Sequence, residues 1–95
     1  SQQDFGLLVK QLRQKCEDIR AREIQKTLQK YPKDLSHDQL EDALRECSRA
    51  IVSKILHDPI TQTKAFKDPE MEIDQEEGSF EVAGRWLRRF FRLTA

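Results

Sequence analysis

Long apolar runs and clustered glycines are missing from this 95-residue chain, and cysteine and proline are scarce. No stretch approaches the roughly 20 apolar residues that a bilayer-spanning helix needs, and the amino terminus lacks the build of a secretion signal. The three glycines are scattered, which excludes a glycine-rich phosphate cradle. Cys16 and Cys47 are the only cysteines, too few for a disulfide framework and without the clustered histidines of a metal site. Both fall on or near apolar stripes and read as small, free-thiol core residues of a reducing compartment, so the expected location is cytoplasmic. Net charge is absent too, with 17 basic residues against 17 acidic ones. That balance argues against the whole domain being a general nucleic-acid binder.

What is present suits helices. Charged residues make up 36% and hydrophobic ones 37%, a profile closer to a helical bundle or coiled coil than to a sheet protein. A chain this short buries only about two-thirds of its unfolded surface, so part of its stability is expected from a partner. Ser1 in place of methionine fits an excised fragment. The charge is unevenly spread: residues 68–81 hold seven acids and no base, and residues 82–95 hold four arginines and no acid.

Residues 36–61 organise the rest. Ser36 is a good N-cap, Gln39 completes a capping box, and Leu35 with Leu40 forms the flanking hydrophobic staple. Asp38, Glu41 and Asp42 place negative charge at the positive end of the helix dipole. Leu40, Ala43, Leu44, Cys47, Ile51 and Ile55 recur at steps of three and four on one stripe. Pro59 is expected to end this helix, and Asp58-Pro59 to begin a short third one through Ile60, Thr63 and Phe66.

Upstream, residues 4–31 read as a long helix capped by Asp4, with Phe5, Leu8, Val9, Leu12, Cys16, Ile19, Ile24, Leu28 and Tyr31 on its buried side. The five-residue step from Ile19 to Ile24 makes the stripe drift, which favours a bundle over a long two-stranded coiled coil. At roughly 1.5 Å per residue the rod is about 42 Å long, more than a small core needs. Pro32 then breaks the helix, and the short connection Tyr31–Leu35 forces an antiparallel hairpin. A tight hairpin sets Cys16 opposite Ile51, Ile19 opposite Cys47, and Ile24 opposite Ala43 and Leu44, leaving the two thiols about a turn apart. Residues 68–79 read as a flexible acidic linker. Ser79 caps a last helix with Phe80, Ala83, Trp86, Leu87, Phe90, Phe91 and Leu93 on one side and Arg85, Arg88, Arg89 and Arg92 on the other.

No constellation for chemistry appears, so no catalytic, cofactor or metal residue is expected here. His37 reads as a solvated residue of a first turn. His57 reads as a cap or packing residue in the last turn of the second helix, where the dipole favours a charged imidazole. The basic aromatic tail admits docking on protein, contact with nucleic acid, or adsorption to an anionic membrane; the protein reading is preferred.

Two stretches are similar to a known family. Cys47-Ser48-Arg49-Ala50-Ile51-Val52-Ser53-Lys54-Ile55-Leu56-His57-Asp58-Pro59-Ile60-Thr61 resembles the I-V-N-K-L-L-H-x-P-T signature in the C-terminal dimerisation domain of glutamyl-tRNA reductase. Ile19-Arg20-Ala21-Arg22-Glu23-Ile24-Gln25-Lys26-Thr27-Leu28 resembles the I-R-x-x-E-L-x-K-x-L that enters the same domain. Ser53 stands where Asn is usual, and Ile60 separates Pro59 from Thr61. The resemblance covers roughly residues 5–67, and the tail resembles the short terminal helix of many members. It implies a parent enzyme that reduces the glutamyl ester of tRNA-Glu with NADPH to glutamate-1-semialdehyde for tetrapyrrole synthesis. It also implies that catalysis and cofactor binding belong to other domains, joined to this one by a long spinal helix; neither Cys16 nor Cys47 matches the catalytic cysteine.

The expected architecture is therefore an all-α, dimeric helical bundle: an antiparallel hairpin plus shorter C-terminal helices. Residues 1–67 form the dimerisation domain, 68–79 an acidic linker and 80–95 a basic amphipathic helix. Leu12, Cys16, Ile19, Ile24, Leu28, Leu40, Leu44, Cys47, Ile51 and Ile55 are the expected core and homodimer interface. Arg85, Arg88, Arg89 and Arg92 are the candidate polyanion contact, and no membrane partner is expected. Two rivals stay open: a tRNA- or RNA-binding module using the arginine tail, and a stand-alone adaptor for a foreign helix.

Overall fold

The structure, a computed structural model, describes residues 2–66 and 79–94. The expected acidic linker, apart from Ser79, lies outside the described residues. Among those residues there are three helices and no strand: α1 (Gln2–Lys30), α2 (His37–Lys64) and α3 (Ser79–Phe90). The fold is all-α as the composition predicts. Contacts divide the chain into two compact units, Ser1–Ile55 and Leu56–Ala95.

The first unit is the hairpin of α1 and most of α2. Helix α1 is already formed at Gln2, so Asp4 lies inside the first turn and is not the N-cap expected of it. Its charge still sits well there against the amino-terminal dipole. At the other end the Tyr31 amide donates to the Thr27 carbonyl at 3.1 Å, and Pro32 allows nothing further.

Helix α2 begins as its sequence dictates. The Gln39 amide donates to Ser36 Oγ at 3.1 Å, and the Ser36 amide donates to Gln39 Oε1 at 3.0 Å, a complete capping box. Ser36→Ala removes one half of it and is expected to cost about 1 kcal/mol in chemical denaturation. Ser36→Gly should recover most of that loss.

Pro59 does not end α2. The helix runs through it to Lys64, so the separate third segment expected after Asp58 is the last turns of α2. A proline inside a helix withholds one amide hydrogen bond, here from the Ile55 carbonyl, and its ring crowds that same carbonyl. Neighbouring hydroxyls serve nearby acceptors: Thr61 Oγ1 donates to the Asp58 carbonyl at 3.2 Å and Thr63 Oγ1 to the Pro59 carbonyl at 2.6 Å. The boundary between the two units falls at Ile55, the residue whose carbonyl Pro59 cannot serve. His57, expected in a terminal turn, thus lies mid-helix, with Nδ1 3.1 Å from Asp58 Oδ1. It gains nothing from the carboxyl-terminal dipole.

Within the second unit, α3 buries small residues, Val82 and Ala83, and leaves Phe80, Trp86 and Phe90 exposed. Trp86 and Phe90 pack on each other with ring centroids 5.5 Å apart. The helix closes with paired reverse bonds, Leu93 amide to Arg88 carbonyl (2.9 Å) and Arg92 amide to Arg89 carbonyl (3.2 Å). Arg92 takes the left-handed position, φ 53°, that such a closure usually gives to glycine.

Candidate functional site

The hairpin register differs from a tight turn. Lys30 Nζ reaches Glu46 Oε1 at 2.6 Å, where a tight hairpin would bring Lys30 to His37. Lys54 Nζ lies 4.0 Å from Glu23, where a tight hairpin would set Leu44. The helices have slid by nine to ten residues, roughly 15 Å at 1.5 Å per residue. The connection permits it: Tyr31–Ser36 is non-helical, with bends at Tyr31, Lys33 and Asp34, and six non-helical residues can reach across up to roughly 20 Å. The pairings Cys16–Ile51, Ile19–Cys47 and Ile24 with Ala43 and Leu44 are therefore corrected by that slide. Both cysteines are free and half-buried.

The slide splits the apolar stripe of α2 in two. Ala43 is 5% exposed, Cys47 and Ala50 are half-buried, and Lys54 is drawn to Glu23, so this line of small residues faces α1. Leu44, one residue beyond Ala43, projects about 100° further round the helix. It is 63% exposed, and Leu40 is exposed beside it. Ile51 and Ile55 continue that second line half-buried. On α1, Ile19 is buried at 8%, Cys16 and Ile24 are half-buried, and Leu12 and Leu28 are exposed at 62% and 65%. The ten expected interface residues thus fall into one buried, five half-buried and four exposed side chains. Among the described residues no large side chain is fully buried.

On one side the hairpin opens into an apolar groove of about 420 Å³ between the end of α1 (Ile24, Leu28) and the start of α2 (Leu40, Ala43, Leu44, Cys47), with Tyr31, Pro32 and Leu35 of the connection along it. Lys33 of the connection is its one charged lining residue, and the groove's two hydroxyls are already engaged. Thr27 Oγ1 donates to the Glu23 carbonyl at 2.9 Å, and Tyr31 Oη donates to Glu46 Oε2 at 2.7 Å. The other side is charged: a cavity of about 160 Å³ is lined by Ile19, Arg22, Glu23, Lys26 and Lys54. Glu23 is buried and lies 3.3 Å from Lys26 Nζ. Sequence reasoning missed Glu23 and Ala50; Ala43 and Cys47 were on the expected α2 stripe but not told apart from Leu40 and Leu44. The spacing of Ile19, Glu23 and Thr27 signals Glu23, because those residues share the buried side of α1 whatever their polarity.

Lys30, Tyr31 and Glu46 clamp the hairpin end. The hydrogen bond from Lys30, then that from Tyr31, holds the Glu46 carboxyl below its ordinary value. The bond to Glu46 likewise raises both Lys30 and Tyr31. A depressed carboxylate contributes stability above its unfolded pKa and loses it as pH falls through the folded one. A raised lysine or tyrosine contributes below its unfolded pKa and loses it as pH rises through the folded one. Wild-type hairpin stability should therefore exceed that of Glu46→Gln by a constant margin between roughly pH 5 and 9, narrowing on both sides. Thermal melts across that range measure the margin.

On α3, Arg85, Arg88 and Arg89 are exposed, as is Arg92 just beyond its end, and Arg88 Nη1 donates to the Thr94 carbonyl at 3.3 Å. Among the described residues no three His, Cys, Asp or Glu side chains gather as a metal site would need. Nor is any described helix long and apolar enough to cross a membrane.

Residues 1–93 match the family described as "Glutamyl-tRNAGlu reductase, dimerisation domain". Among similar proteins, the glutamyl-tRNA reductase of Synechococcus sp. (strain JA-3-3Ab) is 41% identical over 73 residues, 72% of this chain and 17% of the relative. That of Rubrobacter xylanophilus is 47% identical over 58 residues, 61% of this chain and 13% of the relative. That of Trichodesmium erythraeum is 37% identical over 62 residues, 65% of this chain and 14% of the relative. The chain thus spans under a fifth of the length of these relatives. No solved structure gives a significant match.

Proposed function

The chain belongs to the glutamyl-tRNA reductase dimerisation-domain family, and from that premise we propose that it joins two copies of a longer, NADPH-dependent glutamyl-tRNA reductase. Its work is mechanical: apolar burial between subunits fixes the relative position of two catalytic arms. The observation that carries this reading is the exposed apolar surface of the hairpin, Leu28 on α1 with Leu40 and Leu44 on α2. Water contact with such a patch is unfavourable by roughly 25 cal/mol per Å², and a second copy removes it. The parent's chemistry, forming glutamate-1-semialdehyde for tetrapyrrole synthesis in the cytoplasm, then belongs to the rest of the protein. Gly6, Gly78 and Gly84 are too far apart to form a pyrophosphate cradle, so NADPH binding falls outside this chain.

If folding and pairing are linked, the melting temperature of the chain rises with its concentration between about 1 and 100 μM. A melting temperature that stays constant over that range contradicts the reading.

A second role rests on α3 and the turn after it, which carry the exposed Arg85, Arg88, Arg89 and Arg92 together with the Trp86–Phe90 pair. Arginines and aromatics together suit a polyanion with exposed bases, such as tRNA. Replacing Arg88 and Arg89 by Ala should weaken tRNA binding and lower its salt slope by about two. An unchanged slope excludes the contact.

A further inference from the structure

We propose that the contact between copies is seated in the groove at the hairpin end, with α2 of each copy supplying the wall missing beyond the end of the other's α1. The inference rests on the dimer reading above and locates its surface. Among the described residues of the hairpin unit, the slide leaves the first turns of α2 with the non-helical connection alongside them in place of α1. That leaves the groove of about 420 Å³, with the buried Ala43 and half-buried Cys47 along it and the exposed Leu28, Leu40 and Leu44 bordering it.

Three observations select a second copy as the occupant. Apart from Lys33 of the connection the groove is apolar, and the hydroxyls of Thr27 and Tyr31 are already bonded, so they do not orient a small polar ligand. Ridge and groove lie side by side on one patch, Leu44 projecting 63% exposed next to the cavity it borders. A two-fold contact requires such a self-complementary patch, because each copy offers the same surface to the other. Finally, the family to which the chain belongs is described by dimerisation. The rival surface is the amino-terminal half of α1, where Phe5, Leu7, Leu8 and Leu12 are also exposed.

Leu44→Asp and Leu8→Asp separate the two. Both positions are exposed in the single chain, so both variants should keep wild-type helix content by circular dichroism. In sedimentation equilibrium Leu44→Asp should raise the dimer dissociation constant at least about 100-fold, since it forces a carboxylate into an apolar contact. Leu8→Asp should change it less than about fivefold. In the wild type, alkylation of Cys47 by iodoacetamide should slow several-fold as concentration passes the dissociation constant. A wild type that dimerises while Leu44→Asp dimerises equally well overturns this proposal and spares the dimer reading, as does loss of pairing in Leu8→Asp alone. A wild type that stays folded and monomeric overturns both, and leaves the groove to a foreign helix.

Discussion

Replacing Ala43 by Asp is expected to unfold the hairpin, whereas the same change one residue later, at Leu44, is expected to leave it folded. Ala43 is buried at 5% on the line where α2 meets α1. An aspartate there presses a carboxylate against α1 beside the apolar groove, and no cation sits on that line until Lys54, three turns on. Burying a carboxylate without a partner costs several kcal/mol, and a domain of this size has only about 5–10 kcal/mol to lose. The far-ultraviolet helix signal of Ala43→Asp should therefore fall steeply at 25 °C. A variant that keeps its helices with a midpoint within about 1 kcal/mol of wild type would place the α1–α2 contact elsewhere.

Pro59→Ala carries the second large effect, in the opposite direction. Proline in a helix interior is about 3 kcal/mol less favourable than alanine, from the missing bond to the carbonyl four residues back and from ring crowding. Alanine restores an amide facing the Ile55 carbonyl, so stability should rise by about 1–3 kcal/mol, the lower figure if α2 has already adjusted around the ring. Urea denaturation reads it as a higher midpoint with unchanged slope. A lower midpoint would mean that Pro59 is held by packing that alanine cannot replace. Pro59 is half-buried, so that packing is limited.

The local signals were legible in the sequence wherever one residue decides the outcome. The Ser36–Gln39 capping box and the stop at Pro32 are set by short-range hydrogen bonding and by the proline ring, and both stand as expected. The stop at Pro59 did not follow, because a helix boundary is a competition. Here continuation to Lys64 won over one lost hydrogen bond, with Thr61 and Thr63 bonding to nearby carbonyls. The register was also out of reach, since the number of residues in a connection does not say whether they coil or extend. A non-helical Tyr31–Ser36 that bridges the offset goes with a shift of every pairing across the hairpin.

The candidate site was half legible. Period alone placed Leu40, Ala43, Leu44, Cys47, Ile51 and Ile55 on one stripe. Size divides them: Ala43, Cys47 and Ala50 let α1 approach, and the bulkier Leu40 and Leu44 stand beside the contact. Glu23 escaped notice because a carboxylate reads as solvated, although its place between Lys26 and Lys54 sets it in the hairpin. In the same way, the aromatic face of α3 was expected to be its packing side. Of that face Ala83 is buried and Leu87 half-buried, Val82 beside it is buried as well, and Trp86 and Phe90 remain exposed.

Pairing of two chains is the claim on which the functional account turns, and sedimentation equilibrium of the intact chain at micromolar concentration addresses it without assumptions about residues. The account predicts a reversible population at twice the 11.2 kDa chain mass, growing with concentration. Particles of 11.2 kDa alone, with full helix content, at up to about 100 μM would contradict it.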